Sequence, residues 1–404
     1  MFGFRKNKKE KGEAGKGAAQ PVTKAKDSKI VFKHDRNEAE IPSKETFIKD
    51  MAAKLEKNEE IPAEVYTAHN VKRGLRNANG TGVVVGLTKI GEVLGYTTNE
   101  KKEKIPCEGK LYYRGYDIED LVSSCIKENR FGFEEVTYLL LFGELPTQKQ
   151  FDDFKELLGE RELPYGFARD SILTAPSRNI MNKLARSVLT LYSYDKNPDD
   201  TSIENVVRQS IDLIGYFPAI IAYAYQAQQS FFFNQSLHLH YPVAELSTAE
   251  NILRMIRPNR EYTDIEAKLL DVCLILHAEH GGGNNSSFTT HLVSSSGTDT
   301  YSTISAAVGS LKGPKHGGAN IAVINMIEDI KKEVKDITDY NEVEDYLVRV
   351  LKKEANNKSG LVYGMGHAIY TLSDPRAKIL KEMARKLAQS NDKMDDFLLC
   401  DFIE

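Results

Sequence analysis

From residue 44 onward, apolar positions recur at helical spacing over most of the chain. The clearest run follows Thr263, where Ile265, Leu269, Leu270, Val272, Cys273, Ile275 and Leu276 mark one helix that glycine stops at Gly281-Gly282-Gly283. Its start carries a capping box, Thr263 with Glu266. Ser247 with Glu250 repeats that signature, and Asn341 with Glu344 is a looser version. Further helices are predicted over Thr46–Lys57, Phe133–Phe142, Val206–Gly215, Ile321–Glu333 and Asp374–Leu387. Another is predicted over Pro218–Gln229, with its proline in the first turn. Strand signals are few: Gly82–Leu87 and Lys110–Tyr116 read as short hairpin strands. The fold class is therefore mainly α, with a few short strands near the N-terminus and no repeat of solenoid period.

Residues 1–43 break this pattern. They hold eight lysines by Lys29, with glycine and alanine between them, and no apolar stretch that a secretory signal would need. Such a segment buries too little to order itself and is expected to be a disordered tail. Over the whole chain, 41% hydrophobic and 28% charged residues suffice for a large core, and a net charge of -4 argues against a nucleic-acid binder. No apolar run approaches the roughly 18 residues of a membrane span. The four cysteines, Cys107, Cys125, Cys273 and Cys400, stand alone, which leaves a zinc ribbon or disulfide framework unsupported and suits a reducing interior.

Candidate chemistry gathers in three segments. Five of the nine histidines fall between Leu276 and His367, four of them beside glycine or at a helix end. The first segment, Leu276–His291, places His277 and His280 near one face of a helix end. His280 there continues the apolar stripe and is expected to point inward. A metal site from His277, Glu279, His280 and His291 is a weak alternative, because the spacing is not that of a zinc hydrolase. In the second, Gly309–Asn320, His316 lies between Gly313-Pro314 and Gly317-Gly318 ahead of a helix. Backbone contacts can orient its ring there, and the helix N-terminus favours neutral imidazole. In the third, Leu361–Leu380, Gly364 and Gly366 flank the approach to His367, and Ser373 or Asp374 caps a helix whose first turn holds Arg376. A cation at that position calls for an anionic partner, and a carboxylate held bidentately would supply it.

Together these segments resemble the citrate synthase family, in the bacterial branch shared with 2-methylcitrate synthase. The resemblance runs from about residue 60 and includes Gly109–Val122 and Phe133–Pro146. It implies a two-domain helical homodimer, with a large domain over 44–316 and a small one over 317–404. It also implies an acyltransferase that joins acetyl-CoA, a co-substrate rather than a cofactor, to oxaloacetate, or propionyl-CoA in the 2-methylcitrate alternative. By that resemblance His316 stabilises the enolate, His367 donates to the oxaloacetate carbonyl, and His280 and Arg376 dock its carboxylates with complementary charge. The loop of Leu361, Val362, Tyr363, Gly364 and Gly366 meets coenzyme A. No metal, membrane or nucleic acid is implied.

The resemblance also implies a general-base aspartate several tens of residues beyond His367, yet only 37 residues follow it. None of Asp392, Asp395, Asp396 and Asp401 stands in the family's pattern, so no catalytic aspartate is assigned. The expectation is a chain truncated relative to the family that turns over slowly or not at all. Thr371 also stands where some members carry a basic residue near the CoA phosphates.

Overall fold

The computed structural model describes residues 83, 88–100, 103–314, 316–367 and 369–404, together with Lys49, Ala53 and 63–68. The chain divides into two units, residues 1–71 and 72–404. The first contributes helix α1 (Ala63–Ala68). The Lys-rich tail, most of the helix predicted over Thr46–Lys57 and nearly all of the strand predicted over Gly82–Leu87 lie outside the described residues.

The second unit opens with a small antiparallel sheet in the order β1 (Gly91–Thr98), β2 (Lys104–Tyr113), β3 (Tyr116–Asp117). Along β2 the buried positions alternate, Gly109, Leu111 and Tyr113, so one face is turned to the core. The strand is longer than the Lys110–Tyr116 prediction, and its partner β1 was not predicted at all. The cause is local: the register slips between Leu94 and Tyr96, skipping Gly95, and Pro106 faces Tyr96. Glycine and proline at a bulge blur the period-two signal on both strands.

Helices follow: α2 (Ile118–Lys127), α3 (Phe133–Phe142), α4 (Gln148–Gly159), α5 (Ile180–Leu191), α6 (Ile203–Phe233), α7 (Thr248–Ile256) and α8 (Asp264–His277). Then come α9 (Asn285–Ser294), α10 (Thr300–Leu311), α11 (Ala319–Glu333), α12 (Tyr340–Leu351), α13 (Pro375–Ser390) and α14 (Met394–Ile403). The boxes at Ser247 and Thr263 form as the sequence indicates, each side chain accepting from the backbone three residues on. The box at Asn341 does not. Asp339 caps α12 instead, accepting from Asn341 N–H, because the helix begins two residues earlier than that box implies, at Tyr340.

The two helices predicted around Pro218 are one helix, α6, with the proline inside it. Proline removes one ladder bond and costs about 3 kcal/mol in an exposed helix. Here Pro218 is buried, and Ala219, Ile220 and Ala222, which follow it, belong to an apolar core cluster. Burial of a large apolar side chain such as Ile220 or Leu213 returns about 1.5–3 kcal/mol, so the packing along α6 outweighs the break signal.

Two apolar cores bear on the site. One joins Leu111 and Tyr113 of β2 to Ile118, Leu139, Val272, Ile275, Leu276 and Met383, tying the sheet to α2, α3, α8 and α13. The other draws only on residues between Met326 and Ile403, with Val343, Tyr346 and Leu399 at its centre.

Candidate functional site

Helix α8 ends at His277, and the chain turns sharply through Ala278 to His280. Tyr113 holds this turn. Its fully buried hydroxyl donates toward the Ile275 carbonyl at 2.9 Å, with the Glu279 carbonyl at 3.0 Å, and accepts from Glu279 N–H at 3.2 Å. Gly91 leaves room for the Glu279 side chain, which a Cβ at that position would strike. The two histidines therefore diverge instead of sharing a face. His277 is exposed and donates from Nδ1 to the Cys273 carbonyl at 2.6 Å. His280 turns inward as expected, but from a loop rather than from the helical stripe.

Buried Nε2 of His280 has no hydrogen-bond partner among the described residues. An unpaired buried imidazole nitrogen is a costly arrangement unless a ligand completes it. Burial, with the nearby Arg376 and His367, pushes the His280 pKa down to about 4. His280 is thus a neutral hydrogen-bonding group at neutral pH. The charge it was expected to add falls to Arg376 alone, because low-dielectric surroundings beside a guanidinium disfavour a second cation.

His367 stands against it. The two rings meet edge to face with centroids 5.0 Å apart. Backbone N–H groups of Ile369 and Tyr370 both donate to His367 Nδ1, each at 3.1 Å. A nitrogen that accepts carries no proton, so in the neutral ring the proton sits on Nε2. Burial and then Arg376 lower the His367 pKa, which keeps that neutral form. The result is a fixed N–H donor.

Arg376 occupies the first turn of α13, and the anion it was expected to require is already in the protein. Asp374 caps the helix and also holds the guanidinium, Nε to Oδ1 at 3.1 Å and Nη2 to Oδ2 at 2.7 Å. Nη1 contacts no acceptor among the described residues. A half-buried guanidinium anchored along one edge presents the other to an incoming carboxylate.

The loop carrying His367 lies flat on the hairpin. Thr371 donates its hydroxyl to the Gly95 carbonyl at 3.3 Å, and Gly109 N–H donates to Ser373 Oγ at 3.3 Å. Side chains at Gly95 or Gly109 would collide with the Ile369 or Ser373 carbonyl. Tyr370 sits at the centre, stacked on His367 at 4.7 Å, edge-on to His280 at 5.6 Å, and 5.7 Å beneath the Arg376 guanidinium.

Sequence reasoning missed Tyr370, Tyr113 and the two glycines. Tyr370 follows His367 by one helical turn's spacing, which means little in a loop. Tyr113 looks like any core residue of a strand.

His316 is not drawn into this cluster. Its backbone N–H donates to the Gly313 carbonyl at 3.0 Å and its own carbonyl accepts from Ala319 at 3.0 Å, at the start of α11. The expected backbone contacts to its ring are not found: the ring is exposed and touches none of His280, His367 or Arg376 among the described residues. Leu361, Val362, Tyr363, Gly364 and Gly366 form an irregular stretch just ahead of His367. Both glycines have positive φ, +90° and +83°. Val362 and Tyr363 pack on the 326–403 core, and Leu361 is exposed. No cluster suited to a metal ion exists among the described residues, which leaves the His277/Glu279/His280/His291 alternative without support.

What the arrangement can do is grip a small anion with a guanidinium and polarise an acceptor with oriented imidazoles. The family model "Citrate synthase, C-terminal domain" matches residues 74–404. A citrate synthase of Haloferax volcanii is 32% identical over 334 residues, 80% of this chain and 76% of its own length. A 2-methylcitrate synthase of Shewanella oneidensis is also 32% identical, over 69% of this chain and 67% of its own. The citrate synthase structure from Pyrobaculum aerophilum superimposes with TM-score 0.65 and 29% identity, covering 83% of this chain and 78% of that one. A ternary complex of Thermoplasma acidophilum citrate synthase with carboxymethyl coenzyme A and oxaloacetate gives 0.62 at 25% identity, covering 80% and 76%. This chain belongs to the citrate synthase family and is an acyltransferase of citrate-synthase type.

Proposed function

We propose that the protein condenses acetyl-CoA with oxaloacetate and water, giving citrate and CoA. The observation that carries this reading is the fixed Nε2–H of His367 beside the free edge of Arg376 and the unpaired Nε2 of His280. Oxaloacetate has a ketone to be polarised and carboxylates to be held, and these three groups answer both needs. Arg376 takes a carboxylate. His280 completes its hydrogen bonding on the same substrate. His367 donates to the ketone oxygen, where negative charge builds as the new carbon–carbon bond forms.

A thioester methyl is a weak acid, so its enolate needs a donor of its own, and His316 takes that part by family resemblance. The exposure of the ring leaves it open to a substrate arriving beside the 361–366 loop, which receives coenzyme A in this reading. The general base is not assigned to any described carboxylate. Acetyl-CoA is a co-substrate and the reaction as proposed calls on no further cofactor. Division into a large domain over 44–316 and a small one over 317–404 belongs to the same reading, supported by the core confined to residues 326–403. A cytoplasmic homodimer completes it. No described helix is long and apolar enough to cross a membrane.

Propionyl-CoA is the second candidate for the acyl donor, favoured by the similarity to a 2-methylcitrate synthase. The test is thiol release from acetyl-CoA and propionyl-CoA, each with and without oxaloacetate, alongside calorimetric titration of oxaloacetate. Oxaloacetate-dependent release is expected, and the faster thioester names the donor. Neither release nor oxaloacetate binding would overturn the reading.

A further inference from the structure

His280 comes from the turn after α8, and His367 and Arg376 from the segment that leads into α13, yet all three meet one side chain that the chemistry above does not use. Tyr370 is 5% exposed. Its ring lies nearly parallel to His367, with 27° between the planes, and meets His280 at 75°. The same residue's N–H donates to His367 Nδ1, so its backbone sets the tautomer that its ring orients.

The seat of Tyr370 is equally defined. A Cβ on Gly109 would come within 2.7 Å of the Tyr370 ring and 3.1 Å of Pro375. Beyond the ring the loop is strapped to β2: Ser373 donates its hydroxyl to Glu108, and Glu108 also pairs with Lys378 on α13 at 2.7 Å. The Tyr370 hydroxyl is buried and has no partner among the described residues. The aromatic face, not the hydroxyl, is what the neighbours use.

We propose that Tyr370 is a positioning residue for the oxaloacetate-binding groups, its ring held over Gly109 to fix the spacing and angle of His367, His280 and Arg376. This rests on the function proposed above. Imidazole and guanidinium side chains have several rotamers, and a substrate that must order them binds more weakly than one meeting them already placed. A flat, rigid ring in contact with all three removes that freedom in one step.

The experiment compares wild type, Tyr370→Phe, Tyr370→Ala and Gly109→Ala in the full chain. Oxaloacetate affinity is read by calorimetry, and the His367 tautomer by 15N NMR of the imidazoles, assigned with His367→Gln. Tyr370→Phe is expected to bind within about twofold of wild type, because it deletes only an unpaired hydroxyl. Tyr370→Ala and Gly109→Ala are expected to weaken binding about tenfold or more and to shift His367 from the Nε2–H tautomer to a mixture. Wild-type affinity and an unchanged tautomer in Tyr370→Ala would overturn the proposal, as would equal damage in Tyr370→Phe. Should Tyr370→Ala fail to fold, Tyr370→Met keeps bulk without a planar face and carries the same comparison. If wild type itself does not bind oxaloacetate, the functional reading fails, while the tautomer still decides the role of Tyr370.

Discussion

His367 and His280 meet edge to face at 87°, with ring centroids 5.0 Å apart, although 87 positions of chain separate them. One ring has its proton placed by two backbone donors, and the other has a buried nitrogen with no partner among the described residues. A donor of fixed direction and a buried imidazole nitrogen beside it make a site that suits a small polar substrate.

Replacing His367 by alanine removes the oriented donor. In a form of the protein that turns over, kcat is expected to fall about 10²–10³-fold, the usual cost of losing one donor to a developing oxyanion. Circular dichroism should stay unchanged. Near-normal kcat would take His367 out of the mechanism.

Arg376→Lys keeps the charge but loses the forked pairing with Asp374 and the plane above Tyr370. Oxaloacetate affinity is expected to drop about tenfold or more despite the conserved charge. Titration calorimetry reads this directly. Equal affinity would show that the site needs only a point charge.

The depressed pKa of His280 has a definite sign. Its folded value of about 4 lies below its ordinary 6.5, so between these two pH values the unfolded chain holds a proton that the folded chain excludes. The stability associated with neutral His280 is full above pH 6.5 and is lost as pH falls toward 4. Denaturant unfolding of wild type and His280→Phe across pH 4–7 should therefore show a difference that shrinks or reverses on acidification, to the variant's advantage. A constant difference would mean that His280 titrates normally.

The hydroxyl of Tyr113 serves the turn that carries His280. Tyr113→Phe leaves the Glu279 N–H without its acceptor, and the cost is expected to be about 1–3 kcal/mol in unfolding free energy. Oxaloacetate binding should weaken along with it, since the same bond sets the His280 turn. Unchanged stability would show that water or another carbonyl takes over.

Gly95→Ala drives a methyl into the Ile369 carbonyl, one residue from Tyr370. Overpacking of this kind typically costs about 1–3 kcal/mol. A lowered melting temperature together with weaker oxaloacetate binding is expected, whereas a change in melting temperature alone would separate the hairpin from the site.

Much of this protein was legible in its sequence because the signals are local. The capping boxes at Ser247 and Thr263, the run Phe133–Phe142 and the Asp374-Pro375 helix start need only neighbouring residues to act, and they form as read. The histidines beside glycine were visible for the same reason, and so was the family. Where distant residues compete with local preference, the tertiary structure decided. Core packing carried α6 through Pro218, and β1 found its partner across a bulge that hides its alternation. Asp374 took one edge of the Arg376 guanidinium, and burial made His280 neutral. Hydrogen-bonded caps and helical periodicity are short-range and leave their mark in adjacent letters. Ring contacts, desolvation and the space left by Gly95 and Gly109 depend on segments far apart in the chain, and exist only once it has folded.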